Sequence, residues 1–178
     1  MRLAPMAALL LAATATAPAP AIAHVTLDPP EAPAGTSVRA TLRVPHGCAG
    51  AATERITLRL PEDILSARPM PKPGWRLTIT RRPLDGPAPN GQGGQRDEVV
   101  SEVTWDGGPL PDDQYDEFVV MLRAPAVPGQ RVYLPVIQTC TGGATAAWTE
   151  TPDATRPASD LRRPAPSFLL LPGRRGTP

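Results

Sequence analysis

The chain has 178 residues, with 18 Lys+Arg, 17 Asp+Glu, two His, two Cys and 25 Pro. Its length suits one domain, and a formal net charge of +1 excludes a nucleic-acid binder, which needs a basic excess to release counterions from phosphates. The prolines exclude long helices, because each removes an amide donor and clashes with the preceding turn, while 41% hydrophobic residues suffice for a core. The longest proline-free stretch, 90–108, contains Asn90-Gly91-Gln92-Gly93-Gly94 and is no helix either. An all-β chain remains.

Residues 1–23 read as a secretory signal peptide: Arg2 supplies a positive start, Met6 to Ala13 an apolar run, and Ala21-Ile22-Ala23 a small-x-small cleavage site. The run is too short for a stable membrane span, which needs about 20 residues, and no later segment qualifies. The expectation is an exported protein, periplasmic or secreted, whose mature chain begins with His24 and has no membrane span.

From there, short alternating runs recur between Pro and Gly punctuation. They are Thr36 to Val44, Thr53 to Leu60, the run through Trp75, Leu77 and Ile79, and that through Val99, Val103 and Trp105. Tyr115 to Arg123, Arg131 to Thr139 and Ala147 to Thr149 complete the series. Runs of period two separated by turn residues are half-buried strands of a closed sandwich or barrel. Residues 82–97 read as a flexible connection or a long hairpin tip. The organisation expected is a β-sandwich over 24–151 and a Pro/Arg-rich segment over 152–178, in which Ser167 to Leu171 returns as an edge strand.

Cys48 and Cys140 are an even pair in an exported chain, where a disulfide is the default; a two-thiolate metal site is a poor alternative without CxxC spacing. His24 is the more unusual residue. At a mature N-terminus, its α-amine and ring Nδ1 belong to one residue and close a chelate ring on one metal ion. The α-amine, with a reference pKa of about 7.7–8.0, gives up its proton to a metal far more readily than a lysine. Nitrogen donors in tetragonal array suit Cu(II). Past residue 23 only Met70 and Met121 remain as thioethers, which disfavours a Cu(I) carrier. With two histidines in all, no hydrolytic triad can be assembled.

The segments His24-Val25-Thr26-Leu27-Asp28-Pro29, Val44-Pro45-His46-Gly47-Cys48, Met70-Pro71-Lys72-Pro73-Gly74-Trp75, Asp116-Glu117-Phe118 and Trp148-Thr149-Glu150 resemble the YcnI-like family of exported copper-binding domains, in the same order over nearly the whole chain after residue 23. The resemblance implies an immunoglobulin-like (fibronectin-type) two-sheet sandwich holding Cu(II) in a single-histidine brace. By that likeness His24 supplies two nitrogens, Glu117 an oxygen, and Trp148 closes the site. An indole N–H has no lone pair for a metal, so the role of Trp148 would be cover. His46 is a possible additional ligand, or a hydrogen-bonded turn histidine. The function expected is copper trafficking or homeostasis, without enzymatic activity, with other extracytoplasmic copper proteins as possible partners. A copper-dependent oxidase or monooxygenase with a two-histidine brace is the alternative, and an adhesion-type sandwich that binds no copper a third.

Overall fold

The computed structural model describes residues 24–90 and 93–173; the signal-peptide expectation for residues 1–23 lies outside them. Twelve strands are present among the described residues, with no α-helix: β1 (Thr26–Asp28), β2 (Glu31–Pro33), β3 (Ser37–Val44), β4 (Thr53–Arg59), β5 (Ala67–Pro69), β6 (Trp75–Pro89), β7 (Gln95–Leu110), β8 (Asp116–Arg123), β9 (Arg131–Tyr133), β10 (Val136–Cys140), β11 (Thr145–Trp148) and β12 (Ser167–Leu171). They form a four-stranded sheet in the order β1-β3-β8-β5, a five-stranded sheet in the order β11-β10-β4-β7-β6, and a small sheet in the order β2-β12-β9.

The alternation read from the sequence produces the core. Val38, Ala40, Leu42 and Val44 of β3 and Phe118, Val120 and Leu122 of β8 are buried with Ile56 and Leu58 of β4 and Val103 and Trp105 of β7, in one cluster that includes Val136 and Trp148. The register Leu42↔Phe118 and Ala40↔Val120 keeps the apolar sets of β3 and β8 on one face, since a slip by one residue would turn every side chain outward. Fully burying side chains of this size contributes about 1.5–3 kcal/mol each.

Two features differ from the reading of the sequence, the break at Pro135 and the place of the last strand. The run Arg131 to Thr139 is broken at Leu134-Pro135: proline offers no ladder donor, and the Leu134 amide bonds Pro166 O instead. The two halves, β9 and β10, therefore enter different sheets. Of the two readings of residues 82–97, the long hairpin holds: β6 and β7 run as one antiparallel pair to Pro89↔Gln95, with register shifts between Thr80 and Arg81 and between Pro83 and Ala88. Finally, Ser167–Leu171 returns as the middle strand of the small sheet, parallel to β2 and antiparallel to β9, where an edge strand was expected. Its alternating Phe168 and Leu170 are buried in the common core; strands on both sides remove the edge.

Candidate metal site

The four-stranded sheet begins at β1, and the five-stranded sheet begins at β11. His24 stands just before β1 and Trp148 ends β11, each strand an edge of its sheet. Their ring centroids are 5.4 Å apart with planes at 67°, an edge-to-face contact. Trp148 is buried and His24 half-buried, so the imidazole lies against the rim of the core.

The indole is fixed from behind by Gln138. Trp148 Nε1–H donates to Gln138 Oε1 at 3.3 Å, and Gln138 Nε2 donates to His46 O and to Thr53 Oγ1, each at 2.7 Å. Gln138 is only 1% exposed, and a buried amide is tolerated because its polar atoms find partners. Sequence reasoning passed over this residue. The signal was a glutamine in the inward phase of β10, between Val136 and Cys140.

His46 lies in the loop that this glutamine holds. Its ring Nδ1 is 2.6 Å from Gly47 O; a carbonyl only accepts, so the bond requires the proton on Nδ1. A Cβ at Gly47 would collide with Ala51 O, which is why glycine stands there. Cys48 and Ala51 close the turn through paired backbone bonds. The expected disulfide is formed, Cys48–Cys140, with Cα atoms 6.0 Å apart, tying this loop to the end of β10.

Glu117 occupies a different environment. Thr26↔Arg43 and Arg43↔Glu117 are register pairs, so the three share one row across the outer face of the four-stranded sheet, with Arg43 in the middle. Arg43 Nε donates to Glu117 Oε1 at 3.0 Å, and Asp28 lies 3.9 Å from the same guanidinium. The Glu117 bond, then the Asp28 charge, raise the Arg43 pKa above its ordinary value. The Glu117 backbone is pinned too: its N–H donates to Asp116 Oδ1 at 2.8 Å and its carbonyl accepts from Lys72 Nζ at 3.2 Å. Lys72 also pairs with Asp116 at 2.6 Å and lies 5.3 Å from the Phe118 ring centroid. The Pro-Lys-Pro-Gly-Trp block thus anchors the start of β8.

The structure accordingly brings His24 to Trp148 and links His46 to both through Gln138, while Glu117 sits on the neighbouring outer face in an ion pair. Among the described residues no cluster of three or more His, Cys, Asp or Glu gathers to hold a metal. An N-terminal histidine would offer its α-amine and ring Nδ1 without such a cluster, so the fit to a metal turns on His24. The other tryptophans are structural: Trp105 is fully buried and donates to Met70 O at 3.0 Å, and Trp75 packs edge-on to Phe118 at 4.9 Å.

Comparison with known proteins places this geometry in context. A family model described as a domain of unknown function, DUF1775, matches residues 24–170. The copper-binding protein CutI of Bacillus subtilis (strain 168) is 27% identical over 144 residues, covering 79% of this chain and 62% of that protein; the chain thus spans about three fifths of that relative's length. The solved structure of an uncharacterized protein from Nocardia farcinica, described as an immunoglobulin-like fold, is 32% identical, with a TM-score of 0.63, over 83% of this chain and 98% of that one.

Proposed function

Because the chain belongs to the DUF1775, or YcnI-like, family, we propose that it is a copper-binding protein acting outside the cytoplasm, which takes up Cu(II) at His24. The observation that carries this reading is the edge-to-face approach of His24 to a buried, hydrogen-bonded Trp148, 5.4 Å between centroids. With residues 1–23 removed, the α-amine and the imidazole of His24 form a bidentate nitrogen pair at the rim, and the indole shields one side from water. Nitrogen and oxygen donors match the preferences of Cu(II). The carboxylate of Glu117 is the oxygen donor in this reading, and in the structure it is bonded to Arg43. The name of the Bacillus subtilis relative and the disulfide, which suits an oxidising compartment, support copper and export respectively.

A carrier or buffer fits better than an enzyme. The only other histidine, His46, directs Nδ1 at Gly47 O, in a loop tied down by the disulfide and Gln138. Delivery to other extracytoplasmic copper proteins is the role proposed for the bound ion.

The test is the terminus. Protein starting at His24 should take up one Cu(II), seen by intact mass and electron paramagnetic resonance, while the same protein with one added Met before His24 should lose at least about tenfold in affinity, corresponding to ~1.4 kcal/mol. Equal affinity in the two forms would refute the brace.

A further inference from the structure

At the side of the sandwich away from His24, strand β5 ends the four-stranded sheet and β6 ends the five-stranded one. Between β5 and the β6–β7 hairpin opens a cleft of about 610 Å³, whose lining includes Arg68, Arg96 and Arg123 together with Leu65, Ser66 and Met121. Its size lies within the range of ligand sites, roughly 300–1,000 Å³.

Its arginines are not ion-paired. Arg81, lining the adjoining hollow, is paired with Glu98 at 3.1 Å, whereas Arg68, Arg96 and Arg123 have no carboxylate partner among the described residues. Asp63, which shares a neighbouring depression with Arg123, accepts from Gln130 Nε2 at 2.5 Å. Arg96 spends Nη1 on Leu65 O, and its Nε is buried without a hydrogen-bond partner. A guanidinium withdrawn from water with an unmet donor is costly. Three guanidiniums around one concavity, of which Arg96 carries that unmet donor, suit an anion, and the planar fork of arginine suits carboxylates.

The lining is also apolar where it need not be. Leu65 and Met121 are 41% and 44% exposed, two of the few large hydrophobic side chains left in solvent. A bare inorganic anion gains nothing from them, and a flat bilayer does not enter a concavity. We propose that this cleft docks a peptide segment of a partner protein in which carboxylates alternate with aliphatic side chains. Because the cleft lies on the side opposite Trp148 and His24, such a partner would be held without covering the histidine.

The test uses a fluorescein-labelled hexapeptide of alternating glutamate and leucine, titrated with purified protein and read by fluorescence anisotropy. Saturable binding is expected, weakened about tenfold for each guanidinium removed in Arg68→Gln and Arg123→Gln, and weakened again by Met121→Ser. Both arginines are exposed, so the variants should fold, and unchanged near-ultraviolet circular dichroism checks this. No saturable binding, or equal binding by the doubly substituted protein, would overturn the proposal. So would a peptide of glutamate and serine binding as well as the leucine one, displacement by phosphate at the peptide's own concentration, or binding to anionic vesicles without binding to the peptide.

Discussion

Trp148 has one polar atom, and Gln138 takes it, which leaves the ring rather than the N–H to meet His24. In the proposed site the indole would supply shielding, and Glu117 and His46 are the side chains whose contributions must be separated. Glu117→Gln keeps the volume and removes the anionic oxygen; it should weaken Cu(II) binding by about tenfold or more, on the scale of a lost charged contact, and shift the electron paramagnetic resonance parameters. His46→Ala should leave both within about twofold, since its ring is turned to Gly47. Trp148→Phe should retain copper with a modest loss and faster exchange. His46 essential and Glu117 dispensable would indicate the two-histidine brace, and with it the oxidase reading.

Among the elements, the path from β11 to β12 shows how a proline-rich stretch is held without regular structure. Glu150 accepts from the Arg163 amide at 2.8 Å, and a Glu150↔Pro164 bridge continues the contact. The Arg163 amide bond, assisted by the Arg156 charge, lowers the Glu150 pKa from its ordinary value. A depressed folded-state pKa means that this contact stabilises the fold above the unfolded value and is lost as the pH falls through the lower, folded one. The Arg163 amide resonance should therefore titrate with a midpoint below that of an unperturbed glutamate. Glu150→Gln should abolish the titration. Asp153, whose pKa is also lowered, acts through Thr155 and then Arg156, so it does not replace the Arg163 signal.

For the whole molecule, the disulfide closes a loop of sequence separation 92, joining the His46 loop to the end of β10. On the chain-entropy account such a cross-link stabilises by about 4–5 kcal/mol, less if the reduced chain keeps structure. Urea unfolding of oxidised and reduced protein should differ by several kcal/mol on that scale, and thiol titration of the unreduced, denatured chain should find none.

At the same scale, the alternation of Val38 to Val44 and of Phe118 to Leu122 announced buried faces, and those residues line the core, because period two is a local property of the extended chain. The cysteine pair was equally legible. Which strands became neighbours was not. Pro135 diverted β9 into a third sheet, and β12 went between β2 and β9, because strand pairing depends on contacts distant in sequence. The same distance separates His24 from Trp148, Gln138 from His46, and Arg43 from Glu117. Sequence by itself determined which faces are apolar and that the two cysteines pair. Tertiary structure alone decided that His24 meets a ring held by Gln138, that Glu117 is engaged by Arg43, and that three unpaired arginines share a cleft, since each depends on sheet order and register rather than on spacing along the chain.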